Sequence, residues 1–152
     1  MLKLKIKKLH PEAIIPTRTY RTDAGIDLYS IEDVTIPSGH QREVRTGVAL
    51  EIPEGYHVQL HTRSSFGKKG LRCHLGIFDS GYRNEVTIWV VNTQQYNEND
   101  KGGLIPLTSY EIKKGDKICQ MILLPVPEVE IIEVDELSES ERGTKGHGSS
   151  GR

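Results

Sequence analysis

In several stretches of this chain, hydrophobic and polar residues alternate with a period of two. At the N-terminus Leu2, Leu4 and Ile6 interleave with Lys3, Lys5 and Lys7. That pattern predicts a strand with one face buried and one in water. Residues 34–36, 42–52 and 56–62 carry further strand signals, as do 85–92, which are β-branched and aromatic, and then 117–126 and 129–134. Turn sequences divide them: "PSGH", "PEGY", "KKGD" and "PVP". Many short strands between Gly and Pro turns predict an all-β sandwich, jelly roll or barrel. No long helical period occurs, and "SSFGKKG" allows a turn or two of helix at most. Residues 92–103, "NTQQYNENDKGG", read as a polar surface loop. The chain divides into one domain over residues 1–137 and an arm over 138–152, whose last twelve residues hold no aliphatic side chain.

Composition narrows the function. The 152 residues are enough for one domain with a core of its own. The hydrophobic share of 36% is lean, which suits a small β protein or one that buries more surface on assembling. Twenty Lys and Arg stand against 21 Asp and Glu, a balance that argues against direct nucleic-acid binding. Cys73 and Cys119 lack metal-site spacing and read as buried free thiols in a reducing compartment. No segment approaches the ~20 apolar residues of a membrane span. A cytoplasmic protein without membrane contact is the expectation.

Five stretches break the strand and turn pattern. "DAGIDLYS" (23–30) sets Asp27 among strand residues, where an acid is costly unless paired or functional. "TRSSFGKKG" (62–70) joins Arg63 to the hydroxyls of Ser64 and Ser65, a combination that cradles anions but also fits a helix with a Ser cap. "GIFDSGYR" (76–83) puts Asp79 and Tyr82 on a turn, and Asp-Ser-Gly is ordinary turn chemistry. "GDKICQ" (115–120) brings the Gln120 amide into an apolar strand. The arm carries Arg142, a lysine, His147, two serines and four glycines, groups suited to phosphate.

In order and spacing, these stretches together resemble the five motifs of the trimeric dUTP pyrophosphatases (dUTPases). "AGIDLYS" resembles the first motif, "RSSFGKKG" the second, "GIFDSGYRNEV" the third, "GDKICQ" the fourth and "RGTKGHGSSG" the fifth. The resemblance implies a distorted jelly-roll β-barrel that forms a homotrimer with shared active sites. It implies hydrolysis of dUTP to dUMP and pyrophosphate by water attack on the α-phosphorus, which keeps uracil out of DNA and supplies dUMP for thymidylate synthesis. Asp79 is then the general base, and Tyr82 stacks on the deoxyribose and refuses a 2′-hydroxyl. The backbone of a hairpin at about 71–78, including Gly76, Ile77 and Phe78, reads uracil. Arg63, Ser64, Ser65 and Gln120 bind phosphate or the catalytic water. Mg²⁺ is the implied cofactor, with Asp27 reaching it through water or orienting polar neighbours. In the arm, Arg142 grips the γ-phosphate, His147 stacks on the base, and Gly148, Ser149 and Ser150 wrap the phosphates.

The sequence departs from the family pattern in places. Thr62 replaces a proline before Arg63. Asn84 stands where glycine is usual, and would be tolerated at a positive φ. His147 replaces a phenylalanine. The interval from Arg63 to Asp79 is short, as in certain viral members. Rival expectations are a dCTP deaminase-like relative, disfavoured because Trp89 occupies the position of that enzyme's glutamate, and a regulatory protein-binding module on the same trimeric scaffold.

Overall fold

The computed structural model describes residues 2–94, 96–98, 104–106 and 109–144. Its strands are β1 (Lys5–Lys8), β2 (Ile26–Tyr29), β3 (Val34–Pro37), β4 (Gln41–Glu51), β5 (Tyr56–His61), β6 (Leu71–Cys73), β7 (Ile77–Phe78), β8 (Glu85–Asn92), β9 (Tyr96–Glu98), β10 (Leu104–Pro106), β11 (Ser109–Ile112) and β12 (Lys117–Pro125). One short helix, α1 (Ser64–Lys68), lies between β5 and β6. Two antiparallel four-stranded sheets, ordered β1-β4-β8-β6 and β2-β12-β5-β7, form the body, with two-stranded pairs β11-β3 and β10-β9 beside them.

The alternation in sequence becomes the core. Val86, Ile88 and Val90 of β8 face inward with Val58 and Leu60 of β5 and Ile118 and Met121 of β12. Each fully buried aliphatic side chain of this size contributes about 1.5–3 kcal/mol. In β4 the alternation gives way to a buried run, Thr46 to Leu50, where the pairing with β8 shifts register between Arg45 and Ala49. Gly47 sits in that irregularity at φ +68°, a conformation glycine adopts without steric cost. Its N–H donates to Glu85 Oε1 at 2.8 Å while Arg45 holds Glu85 Oε2. Buried polar groups are bonded: Thr46 Oγ1 donates to the Val86 carbonyl, and Asn92 Nδ2 to that of Ile36.

Four expectations need correction. Residues 129–134 form no strand; the chain runs on past Pro125 with Val129, Ile131 and Ile132 exposed at 74, 94 and 66%. A strand needs a ladder partner, and β12 already has β2 and β5 on its two sides. The polar stretch 92–103 is not all loop, because Tyr96–Glu98 pairs with Leu104–Pro106. Helix α1 is capped by Arg63 in extended conformation with no side-chain cap bond, so neither serine caps it. Residues 71–78 are not a paired hairpin: β6 bonds to β8 and β7 to β5, so this short stretch crosses from one sheet to the other. Among the described residues no non-glycine has positive φ, so Asn84 is not held in the left-handed region.

Candidate active site

The first, second and fourth motif-like stretches meet on one sheet. β2 and β5 flank β12, with Gln120 opposite Asp27 on one side and His61 on the other. Asp27 is only 3% exposed. Its Oδ1 lies 3.2 Å from Arg63 Nε and accepts from Gln120 Nε2 at 3.2 Å, while Oδ2 lies 2.7 Å from Lys117 Nζ. A buried carboxylate is tolerable only with such partners. Here two cations offset one anion, so the cluster carries net positive charge. The hydrogen bond from Lys117 to Asp27, together with their attraction, raises the lysine's pKa against the opposing effect of desolvation and the Arg63 charge.

Arg63 is fixed a second time, by donation from an Nη to the Lys117 carbonyl at 3.0 Å. One of its five N–H donors is engaged in that bond, and the guanidinium can serve an external anion as well. It opens with Ser65, Lys69, Tyr110, Asp116 and Lys117 onto a polar cleft of about 410 Å³. Ser64 and Ser65 are exposed at the start of α1. The cleft therefore pairs cations with a hydroxyl, the donor set a phosphate chain requires.

Two residues in this cluster escaped sequence reasoning. Nothing local in the sequence marks Lys117, and only the register of β12 on β2 reveals it as a partner of Asp27. Gly25 is the other. A Cβ there would lie 2.8 Å from Gln120 Cδ and Oε1, so the glycine makes room for the amide. The adjacency of "AGID" and "KICQ" would have been the signal, had the strand pairing been known.

Asp79 and Tyr82 lie elsewhere. β7 is the edge strand of its sheet, and Asp79 follows it, exposed, on the Ser80–Gly81 turn. The Tyr82 N–H donates to the Asp79 carbonyl at 3.0 Å, and Arg83 Nη1 donates to the carbonyls of Ser80 and Tyr82. Tyr82 Oη donates to the Glu85 carbonyl at 2.9 Å, and its ring meets Phe78 edge-on at 5.1 Å. Ile77 and Phe78 pair with Gln59 and Val58, and Gly76 O accepts from Leu60 N. No described strand lies against the far side of β7, which leaves main-chain groups directed outward.

Register sets the gap between the two halves. Phe78 is opposite Val58, which is opposite Leu123, three residues from Gln120. With strands ~4.8 Å apart and ~3.3 Å per residue, Asp79 and Gln120 are about 15 Å apart along the sheet. One chain does not bring them together. Asp79 opens instead on its own cleft with Tyr56, Ser80 and Glu128. Arg142 lies in the described part of the arm; His147, Gly148, Ser149 and Ser150 lie outside the described residues.

Cys73 and Cys119 are buried and free. Cys73 Sγ donates to the Ile118 carbonyl and Cys119 Sγ to that of His61, each at 3.2 Å. The contact with Cys73, then burial, pushes the Cys119 thiol up out of the reactive range. Among the described residues no group of three or more His, Cys, Asp or Glu could hold a metal ion, and no helix is long and apolar enough to cross a membrane.

Comparison with known proteins gives one answer. The dUTPase family model matches residues 11–151. The deoxyuridine 5'-triphosphate nucleotidohydrolase of Nautilia profundicola is 43% identical, over 99% of this chain and 100% of that one. A mutant dUTPase of Staphylococcus bacteriophage 80alpha, solved with dUpNHpp, superposes with a TM-score of 0.86 at 34% identity, covering 99% of each chain. A dUTPase mutant of phage phi11 of S. aureus, described with a structural Mg(II) ion, has a TM-score of 0.76 at 30% identity over 88% of this chain and 97% of that one. With its jelly-roll sheets, and with the family model and full-length relatives matching it almost from end to end, this chain belongs to the dUTPase family.

Proposed function

We propose that the protein hydrolyses dUTP to dUMP and pyrophosphate in the cytoplasm, at sites assembled between copies of a homotrimer. The observation that carries this reading is the separation just described. A cationic cluster at Asp27–Arg63–Lys117–Gln120 and an exposed acid beside an open strand edge are complementary halves, yet lie about 15 Å apart in one chain. Closed symmetry would supply each half from a different copy.

Each residue then has a task. Arg63 and Ser65 hold the phosphate chain, with Ser64 beside them. The outward main-chain groups near Gly76, Ile77 and Phe78 pair with uracil, and cytosine would leave them unpaired at about 1–3 kcal/mol per buried group. Tyr82 lies against the sugar. Asp79 takes a proton from water as the water oxygen bonds to the α-phosphorus and the bond to pyrophosphate breaks. Gln120, held by Asp27, orients that water or a phosphate oxygen. Arg142 and the arm from residue 138 onward close over the substrate, with His147 on the base and Gly148, Ser149 and Ser150 around the phosphates.

Mg²⁺ fits as a companion of the substrate. Both Asp27 oxygens are taken by cations, so Asp27 would touch a metal only through water. When bound, the ion offsets phosphate charge and eases departure of pyrophosphate.

Assembly has further support in the chain beyond β12. Residues 128–136 read "EVEIIEVDE", acids interleaved with exposed apolar side chains. β1 is a sheet edge reading "KIKK", beside an apolar hollow lined by Leu2, Leu4, Ile6, Ile26 and Leu123.

The test is pyrophosphate release from dUTP, dCTP, dTTP and UTP, followed by mixing of variants. Release should occur from dUTP alone. Asp79→Asn and Arg63→Ala should each be inactive, and co-refolding them should restore part of the activity through mixed trimers. Activity in neither the parent nor the mixture would sink the reading.

A further inference from the structure

We propose that Phe78 is the positioning residue that sets the Tyr82 ring, and so decides how strictly ribonucleotides are refused. The inference rests on the reading of Tyr82 as the sugar contact. Tyr82 is restrained at three points. Its backbone N–H closes the turn onto Asp79, its hydroxyl donates to the Glu85 carbonyl, and its ring abuts Phe78 at a centroid distance of 5.1 Å and an interplanar angle of 63°.

The first two restraints fix the ends of the side chain but leave the ring free to turn and tilt. Phe78 supplies the missing wall. It is itself anchored, because its backbone is paired to Val58 and its ring packs against the core. A Cβ added at Gly76 would lie 3.7 Å from Phe78 Cε2 and 3.3 Å from Leu60 Cδ1. The contact series runs from the core through Phe78 to Tyr82. Ile77 and Asp79 on either side of Phe78 are exposed, while Phe78 is half-buried against the core. Phe78 can therefore hold Tyr82 from the core side without contacting the reacting atoms.

A refusal by shape is only as sharp as the wall is stiff. A 2′-hydroxyl adds one oxygen, and a ring able to retreat would admit it. Truncating Phe78 should therefore create an activity. Phe78→Leu is expected to raise kcat/KM for UTP roughly 3- to 10-fold, the scale of one lost aromatic pair, chiefly through KM. Phe78→Tyr, which keeps the ring, should restore refusal. A gain in UTP hydrolysis cannot come from loss of folding, and Phe78→Met serves as the second variant if the leucine form folds poorly. UTP turnover in both variants that stays at or below the parent's would overturn the inference. Tyr82→Leu separates the two readings. If it admits UTP and the Phe78 variants do not, Phe78 has no such role. If it too refuses UTP, Tyr82 is not the sugar contact, and both readings fall.

Discussion

Gly25→Ala offers the sharpest test of the Asp27 cluster, because it should damage function more than stability. The added methyl would sit 2.8 Å from Gln120 Cδ and Oε1 and 3.2 Å from its Cβ. The amide must retreat about 0.6 Å to reach ordinary contact at 3.4 Å. Its bond to Asp27 is already 3.2 Å long, and a shift of that size away from the carboxylate would carry it past the range of a real hydrogen bond. Asp27 keeps Arg63 and Lys117, so the folded state loses only about 1 kcal/mol. The backbone entropy removed from the unfolded chain returns about 0.4–1 kcal/mol. Net stability should change by less than about 1 kcal/mol, seen as a small shift in the urea midpoint. Turnover of dUTP should fall on the order of 10- to 100-fold, the cost of misplacing an orienting group by a fraction of an ångström to an ångström. The control is a double-mutant cycle with Gln120→Ala: once the amide is gone, the added methyl should cost less than about twofold more. A Gly25→Ala enzyme with parental turnover, or one that loses as much again in the Gln120→Ala background, would refute this reasoning.

Other outcomes follow from the same geometry. Asp27→Ala leaves two cations facing each other; breaking a buried pair costs about 3–5 kcal/mol, and the partial exposure of Arg63 and Lys117 reduces this to about 1–3 kcal/mol, measurable by urea unfolding and smaller at high salt. The raised pKa of Lys117 means that its contribution is complete below the unfolded value near pH 10.4 and is lost as pH rises through the folded value; Lys117→Met should lose that alkaline dependence in thermal melts. Removing residues 141–152 should cripple dUTP turnover and leave the sedimentation behaviour of the assembly unchanged, whereas parental rates would show the arm to be dispensable. Cys119 should resist a thiol reagent in the native protein and react once unfolded; rapid native labelling would contradict its burial.

Much of this protein is legible in one dimension. Local strand signals, alternation in β5, β-branched and aromatic residues in β8 and apolar runs between turns for β4 and β12, locate these strands to within a residue or two. Asp27 and Gln120 stand out because an acid or an amide among apolar strand residues is costly and therefore visible, whereas Arg63 and Asp79 stand out only through the resemblance of their stretches to the second and third family motifs. What the sequence could not carry was pairing. The pattern at 129–134 satisfies the rule for a strand, but β12 has no side left to offer it, so it stays unpaired within the chain. Whether residues 71–78 fold back on themselves or cross between sheets depends on which neighbours β6 and β7 find, and those lie at β8 and β5. Lys117 and Gly25 look like an ordinary surface lysine and an ordinary loop glycine until β2 is set against β12. The distance between Asp79 and Gln120 is likewise a consequence of register. Local periodicity is decided by each segment's own contact with water and core, and so is written along the chain. Partner choice is decided by competition among segments far apart in sequence, and only the tertiary structure settles it.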